Sequence, residues 1–227
     1  MLIQWFPAHM AQTLKMIDKE LKLCDAIIYV LDARCPKSCI NPKFNDFVNR
    51  KPVLYVYKKQ DLACKKYKKQ NVILELQNLL KNKIERKMAR GVKPILRVIV
   101  VGVPNVGKST LINELSHQKK TKVGNKAGIT RTKQWVQIND YLWLLDTPGT
   151  LWPEKVDKNL AYVGCVKDEV INVIELSKNL IEDLKFQWTF EEYKKKRGFK
   201  DDRTTATAII KNFRAGKFGT FILENEN

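Results

Sequence analysis

Eight residues, Gly102-Val103-Pro104-Asn105-Val106-Gly107-Lys108-Ser109, fit the pattern G-x-x-x-x-G-K-[ST] at every fixed position. The apolar run 95–101 before them reads as a buried strand. The stretch 109–115 after them reads as the opening of a helix. Strand, glycine-rich turn and helix N-terminus in this order predict an α/β chain of the P-loop type, a mostly parallel sheet with helices on both faces. Pro104, Asn105, Val106, Gly107, Lys108, Ser109 and Thr110 would then surround a polyphosphate. Backbone N–H groups of the turn and the positive end of the helix would cradle the β-phosphate. Lys108 would reach the β- and γ-phosphates, and Ser109 would hold Mg²⁺. A lone match of this kind also arises by chance. A second motif, Asp146-Thr147-Pro148-Gly149, removes most of that room, because it ends another apolar strand, 141–145. There Asp146 would stand near Mg²⁺ and Gly149 near the γ-phosphate.

Charge sets the expected partner. The 227 residues hold 42 Lys and Arg against 24 Asp and Glu, a formal net charge of +18. A lysine-biased composition accounts for Lys over Arg but not for bases over acids, so a polyanionic partner, nucleic acid, is favoured. Five cysteines without a C-x-x-C pair, and only two histidines (His9 and His117), argue against a zinc site and a disulfide framework. No apolar run has the length of a membrane span, and 1–7 lacks the features of a secretory signal. No membrane partner, a monomer and a cytoplasmic location are expected, with an organelle matrix as the alternative.

Taken in order, residues 10–21 show helical spacing of Met10, Leu14, Ile17 and Leu21. The run 26–31 is too continuously apolar for a half-exposed strand and is expected in the centre of the sheet, ending in Asp32-Ala33-Arg34. A second buried strand is expected at 53–57, ending in Lys58-Lys59-Gln60-Asp61. A mostly helical basic stretch should follow from Lys65 to Arg90. Residues 123–133 read as a switch-like segment, and 135–138 with 141–145 as a hairpin. Beyond Trp152-Pro153 the pattern is helical. Asp168 is expected to cap one helix, Thr189 and Glu192 to form a capping box, and 204–215 to be a last helix ended by Gly216. This gives two expected domains: 1–153 around the phosphate loop, and 154–227 as a helical interaction unit, expected to bind RNA on the strength of the net charge.

Lys58-Lys59-Gln60-Asp61 stands where a base-reading N-K-x-D motif would, yet it precedes the phosphate loop by about forty residues. A parallel βαβ sheet tolerates that order, because spatial strand order builds the site. With this order, the chain resembles the circularly permuted GTPases that assist late maturation of the large ribosomal subunit. The likeness runs nearly end to end: Trp5-Phe6-Pro7-Ala8-His9-Met10-Ala11, Asp32-Ala33-Arg34, the phosphate loop, Gly128-Ile129-Thr130, Asp146-Thr147-Pro148-Gly149 with Trp152-Pro153, and Lys217-Phe218-Gly219. The resemblance implies GTP and GDP as ligands, Mg²⁺ and K⁺ as cofactors, and the large subunit with its rRNA as partner. It implies that Thr130 contacts Mg²⁺ and the γ-phosphate, that Asn105 holds a K⁺ ion, and that His9 assists hydrolysis. That help is needed because Thr150, not glutamine, follows Gly149.

Two features depart from the family. Lys58 replaces the asparagine of the base reader; an ammonium can donate to guanine N7 or O6 but cannot accept. Asp61, the acceptor for guanine N1 and N2, is retained, which implies weakened guanine preference. Between the base reader and the phosphate loop, no serine-containing base loop is legible, so one strand is expected to be missing. The leading reading is a GTP-hydrolysing assembly factor that leaves the large subunit after hydrolysis. The alternatives are a degenerate or slow nucleotide-gated RNA-binding factor, and a permuted hydrolase preferring ATP. The RNA footprint is expected to include Lys194, Lys195, Lys196, Arg197, Lys211, Arg214 and Lys217.

Overall fold

The computed structural model describes residues 8–116, 134–152 and 157–224. The first helix, α1 (Ala8–Leu21), turns Met10, Ile17 and Leu21 into the core at the spacing its sequence shows. It leads into β1 (Ala26–Asp32), every residue of which is buried. Two parallel neighbours explain that burial: β2 (Val53–Lys58) pairs on one side and β3 (Leu96–Val101) on the other. β3 pairs in parallel with β5 (Leu142–Asp146), and β4 (Gln134–Asn139) closes the far edge antiparallel to β5. The order β2-β1-β3-β5-β4 puts the strand that feeds the phosphate loop, third in sequence, at the centre. The expected hairpin is present; Asn139 Oδ1 accepts from the N–H groups of Tyr141 and Leu142 at 3.1 and 2.9 Å and so shapes its turn.

No strand lies between Lys58, the end of β2, and Leu96, the start of β3, as the short sequence interval implied. That absence corrects the expectation of a buried second strand. β2 is an edge strand with most residues half-buried, and Tyr55 is 39% exposed. The lysine-rich run 65–69 does not join the helix expected there, since closely spaced like charges oppose helix formation. The helix begins only after Asn71, whose side chain accepts from Leu74 N, and it is broken at Leu80 into α3 (Val72–Leu79) and α4 (Lys81–Ala89). Between β1 and β2 lies the short α2 (Asn45–Arg50), and after the phosphate loop runs α5 (Lys108–Ser116).

The remaining helices are α6 (Lys158–Tyr162), α7 (Val173–Asp183), α8 (Phe190–Arg197) and α9 (Asp202–Arg214). Thr189 and Glu192 make the capping box, and Gly216 follows α9 at φ 72°. Asp168 does not cap α7: Asn172 does, accepting from Glu175 N, while Asp168 is engaged by Arg214. The buried side chains of β1, β3, α7 and α9 belong to one continuous core. The chain end returns to the carboxyl edge of the sheet, where Leu62 O accepts from Phe221 N and Arg34 O from Leu223 N. The helices after α5 and β5 are thereby held over the loops that carry the site. The boundary expected at residue 153 adjoins residues 153–156, outside the described residues.

Candidate functional site

Three strand ends build the site. The turn after β3 approaches its neighbours so closely that only glycine fits at two points. A Cβ on Gly102 (φ 150°) would stand 2.5 Å from the carbonyl oxygen of Val30, and one on Gly149 would stand 2.5 Å from the Cα of Pro104. Those contacts press the Asp146-Thr147-Pro148-Gly149 loop against the phosphate loop. Lys108 is buried at the start of α5 and donates from Nζ to the carbonyl oxygens of Gly102 and Val103 at 3.1 and 3.0 Å. Burial pushes its ammonium down to about 8, against the raising pull of Asp146. Ser109 Oγ donates to Asp146 Oδ2 at 2.8 Å. Hard oxygen donors from the two motifs therefore meet at one point, which fits a Mg²⁺ ion.

At the end of β1, Asp32 takes a two-pronged hydrogen bond from Arg34 (2.9 and 2.8 Å), and Lys59 Nζ pairs with it at 3.0 Å. Burial alone would raise the Asp32 carboxyl, but the Arg34 fork and the Lys59 charge outweigh it and hold it below its ordinary value. Lys59, in the left-handed region at φ 57°, is thus fixed at the cleft. Its neighbour Lys58 lays its stem over Gly107 and turns its ammonium to the carboxylate of Glu114 on α5, 2.7 Å away.

Lys58, Lys59, the whole run 104–110 and Gly149 line one cleft of about 860 Å³. That volume suits a nucleotide-sized ligand. Asp61 is exposed in a 3-10 turn (Gln60–Leu62) and does not line the cleft, whereas Leu62 does. Thr150 is fully buried, with no hydrogen-bond partner for its hydroxyl among the described residues and its N–H donating to Gly102 O at 3.4 Å. Its side chain faces the interior, not the cleft. Thr130 and the switch-like segment lie outside the described residues, as does the side chain of His9. The backbone of His9 begins α1, where the adjacent Met10 Sδ accepts from Leu151 N at 3.5 Å, two residues past Gly149.

Sequence reasoning missed the opposite wall. Arg34, Gly164, Glu169, Arg203, Lys211 and Arg214 all border the cleft. Asn105, at φ 58°, donates from Nδ2 to Gly164 O at 2.8 Å, tying the phosphate loop to that wall. Only the Asp32-Ala33-Arg34 turn carried a local signal; the other wall residues arrive through long-range packing.

A central parallel sheet, a glycine-clamped phosphate loop, and a serine and an aspartate meeting beside a buried lysine define a P-loop nucleoside triphosphatase. The model of the family described as "50S ribosome-binding GTPase" matches residues 97–208. Ribosome biogenesis GTPase A of Bacillus licheniformis is 36% identical over an alignment of 279 positions, which covers 99% of this chain and 98% of that protein. The alignment exceeds the length of this chain, so the relative carries residues with no counterpart here. Mitochondrial ribosome-associated GTPase 1 of Bos taurus is 35% identical over 217 positions, covering 80% of this chain and 65% of that protein. The solved structure of GNP-bound YlqF from T. maritima shares the fold, with a TM-score of 0.62 at 21% identity over 93% of this chain and 98% of that one. The chain belongs to the ribosome biogenesis GTPase A family, and it is a GTPase.

Proposed function

We propose that the protein binds GTP in the cleft over β3, hydrolyses it, and serves as an assembly factor that binds a maturing large ribosomal subunit and leaves after hydrolysis. The observation that carries this is the Ser109–Asp146 contact beside Lys108 and Gly149, in a chain similar end to end to ribosome biogenesis GTPases. The backbone N–H groups of 105–110 and Lys108 would hold the β- and γ-phosphates, while Ser109, Asp146 and Thr130 would hold Mg²⁺. Bound there, Mg²⁺ supplies charge neutralisation of the phosphates. Asn105 Oδ1 would face a K⁺ ion while its Nδ2 stays on Gly164. Phosphoryl transfer rests on positioning and electrostatics, so the attacking water needs an orienting group. Interior-facing Thr150 cannot supply it. His9 is the proposed source, since the start of α1 packs beside Leu151. On this reading, His9→Ala lowers subunit-stimulated hydrolysis far more than the basal rate and leaves GTP affinity nearly intact. Equal losses in both rates would sink the role.

The helices after residue 153 are proposed to contribute the RNA-binding surface. Arg214 and Lys194 are committed to Asp168 and Asp202, so Lys195, Lys196 and Lys217 are the better candidates among the expected footprint. A monomer acting in the cytoplasm completes the proposal; among the described residues, no helix is long and apolar enough to cross a membrane. One structural fact favours the second reading, a slow nucleotide-gated RNA-binding factor: Lys58 is held by Glu114 and Asp61 lies off the cleft, so guanine is weakly read. Turnover of GTP and ATP, measured with and without large subunits, separates the two. Subunit-stimulated GTP hydrolysis is expected. Slow, unstimulated turnover with salt-sensitive RNA binding would favour the second reading, and no difference between GTP and ATP would overturn the guanine assignment.

A further inference from the structure

The wall facing the phosphate loop is α9, and its charges are distributed in an informative way. Arg203, Thr207 and Lys211 follow one another at four-residue spacing, so they share one face of the helix, and all three border the cleft. Arg214, at the end of the same helix, is fully occupied. It donates to Tyr162 O at 3.0 Å, to Ala161 O at 2.8 Å, and to both oxygens of Asp168 at 2.8 Å. The segment it grips contains Gly164, whose carbonyl receives the Asn105 amide. Helix α9 is therefore fixed to the phosphate loop through two links, not left to swing beside it.

On that fixed wall, the side chains of Lys211 and Arg203 are exposed and make no hydrogen bond or ion pair with any described residue. Cations elsewhere around the cleft do have partners: Lys58 has Glu114, Lys59 has Asp32 and Arg214 has Asp168. Among the described residues, the one acidic side chain on the wall not so paired is Glu169, which also borders the cleft. Two unpaired cations against one carboxylate leave the wall net positive, across from a loop built to receive phosphates. A cleft with one sign of charge on low-dielectric walls concentrates an anionic ligand.

We propose that α9 forms the second wall of the nucleotide site, with Lys211, assisted by Arg203, contacting the phosphate chain of the bound nucleoside di- or triphosphate. The C-terminal helices then belong to the nucleotide site as well as to any RNA surface. Release of nucleotide requires breaking contacts to both the phosphate loop and α9. This rests on the nucleotide reading of the cleft.

The test measures the affinity of the full chain for GDP and for a non-hydrolysable GTP analogue by isothermal titration. Lys211→Gln is expected to weaken both by about tenfold, the scale of one charge-assisted contact. Lys211→Arg should restore most of that loss. Glu169→Gln should tighten both by about twofold, because it removes the opposing carboxylate. Circular dichroism and the thermal midpoint without nucleotide report whether Lys211→Gln has folded, and Glu169→Gln tests the charge of the wall independently. Unchanged affinity in both Lys211→Gln and Glu169→Gln overturns the proposal; a concurrent loss of large-subunit binding by Lys211→Gln would assign that lysine to the RNA surface instead. Lys108→Ala serves as the arm for the underlying reading. If it binds nucleotide like the parent chain, the cleft assignment fails; if it loses binding while Lys211→Gln keeps it, only the second wall fails.

Discussion

At the scale of single residues, Lys108 gives the sharpest prediction. Its ammonium is held at about 8 in the folded chain, against an ordinary 10.5, because burial penalises the charge. Between those two values the unfolded chain binds more protons than the folded one. The Lys108 contribution to stability therefore rises from pH 8 to 10.5 and is absent below 8. A bound polyphosphate favours the charged form, so binding takes up a proton above pH 8. Nucleotide affinity should fall by about tenfold between pH 7 and 9. Titrations at pH 8.5 in buffers of different ionisation heat should show that uptake, and Lys108→Arg should abolish it. A pH-independent affinity would place the phosphates elsewhere. Lys58 supports a second prediction at this scale. Its ammonium is bound to Glu114, so Lys58→Asn should free the edge of the cleft and raise the preference for GTP over ATP in competition binding. An unchanged ratio would mean that the base is read away from β2. The sequence made the phosphate loop legible because each of its residues is fixed by local backbone geometry. It could not show that Lys58 turns to Glu114, because that pair spans 56 positions.

At the scale of elements, local chemistry and sheet position differ in how visible they are. The capping box of α8 was legible because Thr189 and Glu192 stand three residues apart and act on each other's backbone. Thr189→Ala should lower stability by about 1 kcal/mol in urea unfolding, with little effect on nucleotide affinity. A matching loss of affinity would show that α8 supports the site more directly than its contacts suggest. The start of α7 was misread although its signal was present. Asn172 stands three residues before Glu175, but Asp168 was an equally good local candidate, and only its distant partner Arg214 removes it. The half-exposed character of β2 was illegible in its own residues for a related reason. Its apolar run Val53-Leu54-Tyr55-Val56-Tyr57 suits a buried strand, and burial depends on whether another strand lies beyond it. The short interval to the phosphate loop implied the missing strand, and edge exposure was its consequence.

At the scale of the whole molecule, the arrangement of the C-terminal helices over the carboxyl edge of the sheet was not legible at all. Their amphipathic spacing showed that they bury one face, not what that face meets. The structure joins them to the phosphate loop through Asn105 and Gly164, and to the base-reading side through Leu62 and Phe221. Arg214 is the common fastener of the first link. Replacing it leaves the carbonyl oxygen of fully buried Tyr162 without its donor, leaves Ala161 O only backbone N–H donors such as that of Gly164 at 3.1 Å, and frees Asp168. Arg214→Gln should therefore cost about 2 kcal/mol of stability, since an unsatisfied buried acceptor is dearer than the bond it lost. The same change should loosen the 161–168 segment that receives Asn105. GDP dissociation, followed by stopped-flow with a fluorescent analogue, should then quicken several-fold, and amide exchange in 161–168 should rise. If stability falls while GDP dissociates at the parent rate, the helices merely rest on the GTPase fold and the link from Arg214 to the phosphate loop carries no coupling. If both change together, occupancy of the phosphate loop and the docking of α9 are two readings of one equilibrium, which is what the proposed release after hydrolysis requires.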